Sequence, residues 1–219
     1  MSVSSGQFHR YCRHQELLRE LGAPLRQLVY VAVLLLASIL LWCLGAHYHD
    51  ALVQENGVLE NAQLLILAFA AAGYAAEACV SLRFRPLLFM LSALCAAAFV
   101  RELDAFFDVY LPLISWKFCW LFPAAALWGL WRARRSLREP FMLFLRSRSY
   151  HMMLGAFVIA VPLAQCIGHR SFVADVLGSA ADHSLLIRRF LEEPFELMGY
   201  LLLLMAVCEF YWEFLRSPK

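Results

Sequence analysis

Charge is scarce in this sequence. Of 219 residues only 16% are Asp, Glu, Lys or Arg, while 62% are apolar, and the mean hydropathy is +0.63. Soluble domains run to about 25% charged and about 45–50% apolar, so this chain has too few polar side chains to cover a water-facing globule. That excludes a nucleic-acid module and a disordered regulator, both of which depend on abundant charge. The seven cysteines, Cys12, Cys43, Cys79, Cys95, Cys119, Cys166 and Cys208, stand singly with no CxxC pair. A secreted disulfide scaffold is thereby excluded, and the thiols read as small hydrophobes. There is no GxSxG elbow and no Gly-rich phosphate loop, so a nucleophilic serine mechanism has no support. No internal repeat or low-complexity linker divides the chain. Lysine is nearly missing too, since only Lys117 and Lys219 accompany seventeen arginines. With abundant Ala and Leu, that bias suggests a G+C-rich bacterial gene.

What the chain has instead is long apolar runs. About 20 helical residues cross about 30 Å of hydrocarbon, and backbone facing lipid must satisfy its own hydrogen bonds. The fold class expected is therefore all-α, a polytopic integral membrane helical bundle of about six transmembrane helices. The candidate spans are Leu28–Ala46, Ala62–Val80, Pro86–Phe107, Ser115–Trp131, Met152–Ile167 and Pro194–Trp212. Pro86 and Pro194 fall at first turns, where proline is tolerated, whereas Pro123 and Pro162 should bend their spans. Tryptophan and tyrosine gather near span ends as an aromatic belt.

Sorting the loops into two alternating sets puts fourteen of the nineteen Lys and Arg on one side. The positive-inside rule then places both termini in the cytoplasm, and with the bacterial composition the membrane expected is the bacterial inner membrane. Eleven of the seventeen acids and His47, His49, His169 and His183 lie on the other, periplasmic side. Residues 1–27 carry Phe8, Tyr11, Leu18, Leu21 and Leu25 at helical spacing against Arg10, Arg13, Arg19 and Glu20. That pattern predicts an amphipathic cytoplasmic segment ahead of a single transmembrane domain, residues 28–219. A secretory signal peptide is not expected, because the charged stretch before Leu28 is long and the apolar run matches a full span.

The third span draws the chemistry. Its uninterrupted apolar stretch, Leu87–Val100, covers only roughly 21 Å as a helix. To cross, the helix must continue through Arg101, Glu102, Asp104 and Asp108, drawing charges into the membrane. Arg101, Asp104 and Asp108 would share a face, with Glu102 about 100° away from Arg101. An Arg101–Asp104 ion pair closing the helix is the plain structural expectation. Asp104 and Asp108 also form a DxxxD pair able to hold Mg²⁺ against a phosphate, with Arg101, Lys117, Arg188 and Arg189 as anion-binding partners.

The sixth span opens with Glu192-Glu193-Pro194-Phe195-Glu196. With Glu193 as cap and Pro194 as first helical residue, Glu196 completes a capping-box pattern. Three carboxylates within five residues nonetheless need cations, protons or arginines to neutralise them. Glu60 starts the second span, so polar groups from four helix ends are expected at one membrane face. Glu77 and Glu209 lie at the opposite ends, where Glu77 can reach Arg83 and Glu209 stacks over Glu213.

Three function classes follow. The first is a metal-assisted hydrolase or transferase acting on a lipid or lipid-linked substrate at the periplasmic face. Asp104, Asp108, Glu192, Glu196 and Glu60 would be its catalytic groups, and Arg101, Lys117, Arg188 and Arg189 its substrate-binding ones. Its ion would be Zn²⁺, Mg²⁺ or Mn²⁺, held among Asp104, Asp108, Glu193, His169 and His183, although no spacing such as HExxH marks a metal site. The second is a non-catalytic subunit or assembly factor whose acidic face docks a membrane protein partner. The third is a cation- or proton-coupled transporter, which needs a polar path from the acidic face to Glu77 or Glu209.

Overall fold

In the computed structural model, residues 5–52, 57–103, 120–177 and 184–216 are described, and no strand occurs among them. The helices are α1 (Ser5–Leu52), α2 (Val58–Val80), α3 (Arg85–Glu102), α4 (Leu121–Leu145), α5 (Arg148–Val158), α6 (Ala164–Ile167), α7 (Arg170–Leu177) and α8 (Ser184–Phe210). A π turn, Ile159–Leu163, joins α5 to α6, and a second, Tyr211–Leu215, follows α8. Helix throughout is what a chain with few polar partners for its backbone should form.

Four stretches are long and apolar enough to cross a membrane: Leu21–Tyr48, Val58–Val80, Arg148–Ile167 and Ile187–Leu215. They contain the first, second, fifth and sixth expected spans. The third and fourth expected spans lie partly in residues 104–119, outside the described residues. What is described of them is helical, but α3 carries Arg85, Arg101 and Glu102 within its eighteen residues. Helix α4 runs on past Trp131 to Leu145 and takes Arg132, Arg134, Arg135 and Arg138 with it.

Two compact units divide at Leu40. The first holds most of α1, which is continuous through Pro24 with no break between residues 5–27 and the expected span. Leu25, Leu28, Val31, Leu35 and Leu36 are exposed on it, as suits a helix surrounded by lipid. The second unit begins with the end of α1, which is interrupted at Tyr48 (φ −134°, ψ 33°), and contains the other helices.

In that second unit one core cluster draws on α2, α3, α4 and α8, with Tyr74, Leu87, Leu88, Leu91, Phe144 and Phe210 buried in it. The Phe84 and Phe210 rings meet edge to face at 5.3 Å. A second cluster joins Leu67, Ala160 and Tyr200. Lipid tails are as apolar as leucine, so such helices associate through close packing of small residues more than through burial. Gly199 illustrates this: a Cβ there would lie 2.5 Å from Ala160 Cβ, 2.8 Å from Ala160 N and 2.9 Å from Ala156 O.

The prolines depart from expectation in two places. Pro123 lies in the first turn of α4, where it costs no helical hydrogen bond. Pro194 is inside α8, which starts ten residues earlier, at Ser184. The capping box read at Glu193–Glu196 is therefore corrected: Glu192, Glu193 and Glu196 are interior helical positions. Pro162 sits within the π turn, a common way to absorb such a residue. Of the cysteines described by burial, Cys95 is buried and Cys43, Cys79, Cys166 and Cys208 are exposed.

Candidate functional site

Because α8 is helical from Ser184, the spacings of three, four and seven residues set Glu193, Glu196 and Tyr200 along one side. Helix α3 ends beside them. Arg101 Nη2 donates to Glu196 Oε1 at 3.0 Å and to Glu102 Oε1 at 2.7 Å, and its Nε donates to the same Glu102 oxygen at 3.2 Å. The Tyr200 hydroxyl donates to Glu102 Oε1 at 2.8 Å and accepts from Arg101 Nη2 at 3.3 Å. Glu196 is 4% exposed.

Two amides close the cluster. Gln165 Nε2 donates to Glu192 Oε1, and to Glu196 Oε1 at 3.4 Å. Gln63 Nε2 donates to Glu193 Oε2 at 2.8 Å and to the Glu193 carbonyl at 3.1 Å. Gln63 is wholly buried, and its Oε1 has no hydrogen-bond partner. A buried acceptor left unmatched costs about 1–3 kcal/mol, so its presence needs a physical reason.

Among the expected site residues, the structure brings Arg101, Glu192, Glu193 and Glu196 together. Glu60, in the first turn of α2, and Arg189 both lie within electrostatic range of Glu193. Arg188 Nε donates to the Gly168 carbonyl at 2.6 Å, tying α8 to the end of α6. His169 is exposed, with Nδ1 2.7 Å from Ser171 Oγ. Asp104, Asp108, Lys117 and His183 lie outside the described residues. Among the described residues no three His, Cys, Asp or Glu side chains are arranged to hold a metal ion. The Arg101–Glu102 geometry also corrects the expectation that the two point apart. Arg101 has a long enough arm to fold back onto its neighbour, and its Nε and Nη2 are committed to carboxylates.

Glu102, Gln63, Gln165 and Tyr200 are functional candidates that the site reading from sequence did not select. Glu102 was noticed for its depth alone. The amides carry no charge to stand out, and Tyr200 reads as one more apolar residue in a span. The only usable signal is the spacing Glu193, Glu196, Tyr200.

Below the cluster, an apolar cavity of about 250 Å³ lies among α3, α5, the first π turn and α8. Leu94, Ala98, Phe157, Ala160, Gly199 and Tyr200 are among its lining. Tyr200 thus has its ring in the cavity wall and its hydroxyl in the polar cluster.

At the far ends of the helices a separate polar group forms. Glu209, fully buried, pairs with Arg148 Nη1 at 3.6 Å. Glu213 accepts from the backbone N–H groups of Arg148 and Ser149 at 3.1 and 3.4 Å, where acids favour a helix start. Glu77 Oε2 is buried with no hydrogen-bond partner. The expected reach of Glu77 to Arg83 is not realised, because Arg83 pairs with Glu139 at 2.6 Å. Between the two polar ends stand Leu67, Ala70, Leu91 and Cys95, all buried.

No protein-family model matches the chain, and neither a curated protein nor a solved structure matches it.

Proposed function

We propose that the chain is a six-span bacterial inner-membrane protein that handles a lipid or lipid-linked substrate at the carboxylate-rich ends of α2, α3 and α8, as a hydrolase or transferase. The observation that carries this reading is Tyr200, which belongs both to the apolar cavity and to the Arg101–Glu102–Glu196 cluster. An acyl chain lying in the cavity brings its polar linkage to the Tyr200 hydroxyl. There Glu102 and Glu196, oriented by Arg101, are placed to take and return a proton. A metal-assisted form of the reaction draws on ligands beyond the described residues, and Asp104 and Asp108 are the carboxylates available for it.

The proposed orientation sets this cluster at the periplasmic face, with both termini in the cytoplasm. The exposed Arg132, Arg134, Arg135, Arg138 and Arg146 support it, since they fall toward the opposite ends of the helices. Burial of Glu196 and Gln63 favours a ligand site over an acidic face that docks a membrane protein partner. The apolar residues between the two polar ends favour it over an ion or proton path.

The test is a phospholipid bearing a diazirine in its acyl chain, photoactivated with the protein in proteoliposomes. Adducts are expected on the segments around Phe157 and Leu203 and should disappear in Ala98→Trp, which fills the cavity. Labelling spread evenly over the lipid-exposed helices and indifferent to that substitution overturns the reading.

A further inference from the structure

Away from the acidic cluster, a groove of about 440 Å³ lies between α3 and α4, lined by Phe89, Ala93, Leu121, Phe122, Ala125 and Ala126, all apolar. At about 100° per residue, Leu121, Ala125 and Arg132 fall within about 40° of one another on α4. Arg132 stands beyond the groove lining, about 10 Å along the helix from Ala125. Gly129 comes between them, and a Cβ there would meet nothing within 4 Å, so the helix surface from the groove to Arg132 is open.

Arg132, Arg135 and Arg138 are exposed, and none of them has a carboxylate partner among the described residues. The single acid of α4, Glu139, accepts from Arg83 at 2.6 Å. Arg134 lies about 160° round the helix from Arg132. Its guanidinium is over the Trp131 ring at 4.8 Å, and its Nη1 donates to the Trp131 carbonyl at 3.3 Å. Trp128, four residues before Arg132, and Trp131 are both exposed, as suits side chains at the level of lipid headgroups. The same stretch of α4 thus offers an apolar groove and, further along the same face, unmatched guanidinium groups. A soluble anion leaves the groove unfilled, and a neutral lipid leaves the arginines unmatched. A phosphate carrying an acyl chain answers both, and the planar guanidinium fork fits its oxygens.

We propose that the groove between α3 and α4 binds an anionic phospholipid, with an acyl chain along Phe89, Ala93, Phe122 and Ala125 and the phosphate held by Arg132 and Arg135. This site is separate from the cavity at Tyr200 and does not depend on that cavity holding a substrate. In the orientation proposed above, the lipid belongs to the cytoplasmic leaflet, where anionic headgroups meet basic side chains at the membrane surface.

Binding of dipalmitoyl phosphatidylglycerol and of dipalmitoyl phosphatidylcholine to the full chain in uncharged maltoside micelles tests the proposal, read by native mass spectrometry. Phosphatidylglycerol is expected to bind about tenfold more tightly than phosphatidylcholine. Arg132→Gln should weaken phosphatidylglycerol binding about fivefold and leave phosphatidylcholine binding unchanged. Arg134→Gln removes the same charge from the other side of α4 and should leave the preference intact. Ala125→Trp, which fills the groove, should weaken both lipids, whereas Ala98→Trp in the Tyr200 cavity should leave the preference as it is. Thermal unfolding of the same samples confirms that each variant is folded. Equal binding of the two lipids, or a preference lost as fully in Arg134→Gln as in Arg132→Gln, overturns the phosphate assignment. Binding indifferent to Ala125→Trp overturns the groove as the place of the acyl chain, and a preference abolished by Ala98→Trp moves the lipid to the other cavity and overturns this site.

Discussion

Removing the Arg101 guanidinium leaves the Glu102 and Glu196 carboxylates facing each other with their shared counter-charge gone. Their side chains are 11% and 5% exposed. Breaking a buried pair of this kind costs about 3–5 kcal/mol, and Arg101 is itself 37% exposed, so Arg101→Met should destabilise by about 2–3 kcal/mol. The same substitution combined with Glu102→Gln and Glu196→Gln should recover most of that loss. Equilibrium unfolding in micelles measures both. A triple variant no more stable than Arg101→Met alone means that the arginine packs rather than neutralises. At this scale the sequence exposes charges placed where lipid should be, which is how Arg101, Glu193 and Glu196 can be picked out of an apolar chain. It conceals Gln63 and Tyr200, whose chemistry depends on what another helix sets against them.

Helix α8 shows how an element can be misread from a correct local rule. Glu-Pro-Phe-Glu matches a capping pattern, and proline at a first helical position is common. The missing Pro194 donor and its clash with the preceding turn cost about 3 kcal/mol inside a helix. In an apolar environment that is less than the cost of leaving a whole turn of backbone unpaired, so the helix continues through the proline. The π turn Ile159–Leu163 is likewise invisible beforehand, because nothing in a hydropathy pattern distinguishes a wide turn from an ordinary one. Close contact between elements gives a paired prediction. Gly199→Ala forces a Cβ against the Ala160 backbone and should destabilise by about 1–3 kcal/mol. Gly129→Ala in α4 meets nothing within 4 Å and should be neutral, or stabilising by up to about 1 kcal/mol through helix propensity. Melting temperatures of the two variants decide the matter, and equal shifts rule out the contact at Gly199 as the cause.

For the whole molecule, composition made the all-helical membrane class legible, and four apolar stretches bear it out. The remaining two spans are not settled by composition, because α3 is short and charged at its ends and α4 carries its arginines onward. The proposed topology predicts that Ser171→Cys, between α6 and α8, reacts with a membrane-impermeant maleimide in intact cells. Ser136→Cys in α4 should react only after permeabilisation. Both serines are exposed, and the native cysteines are replaced beforehand. The reverse labelling pattern inverts the molecule and moves the acidic cluster to the cytoplasm. One mechanical consequence follows from Pro194. Without an N–H to offer the Phe190 carbonyl, α8 is least stiff to bending where Gln63 grips the neighbouring Glu193 main chain. Strain along α8 is therefore concentrated at that joint, and flexing of the helix is transmitted directly as a change in the gap between Gln63 and the Glu193 carboxylate.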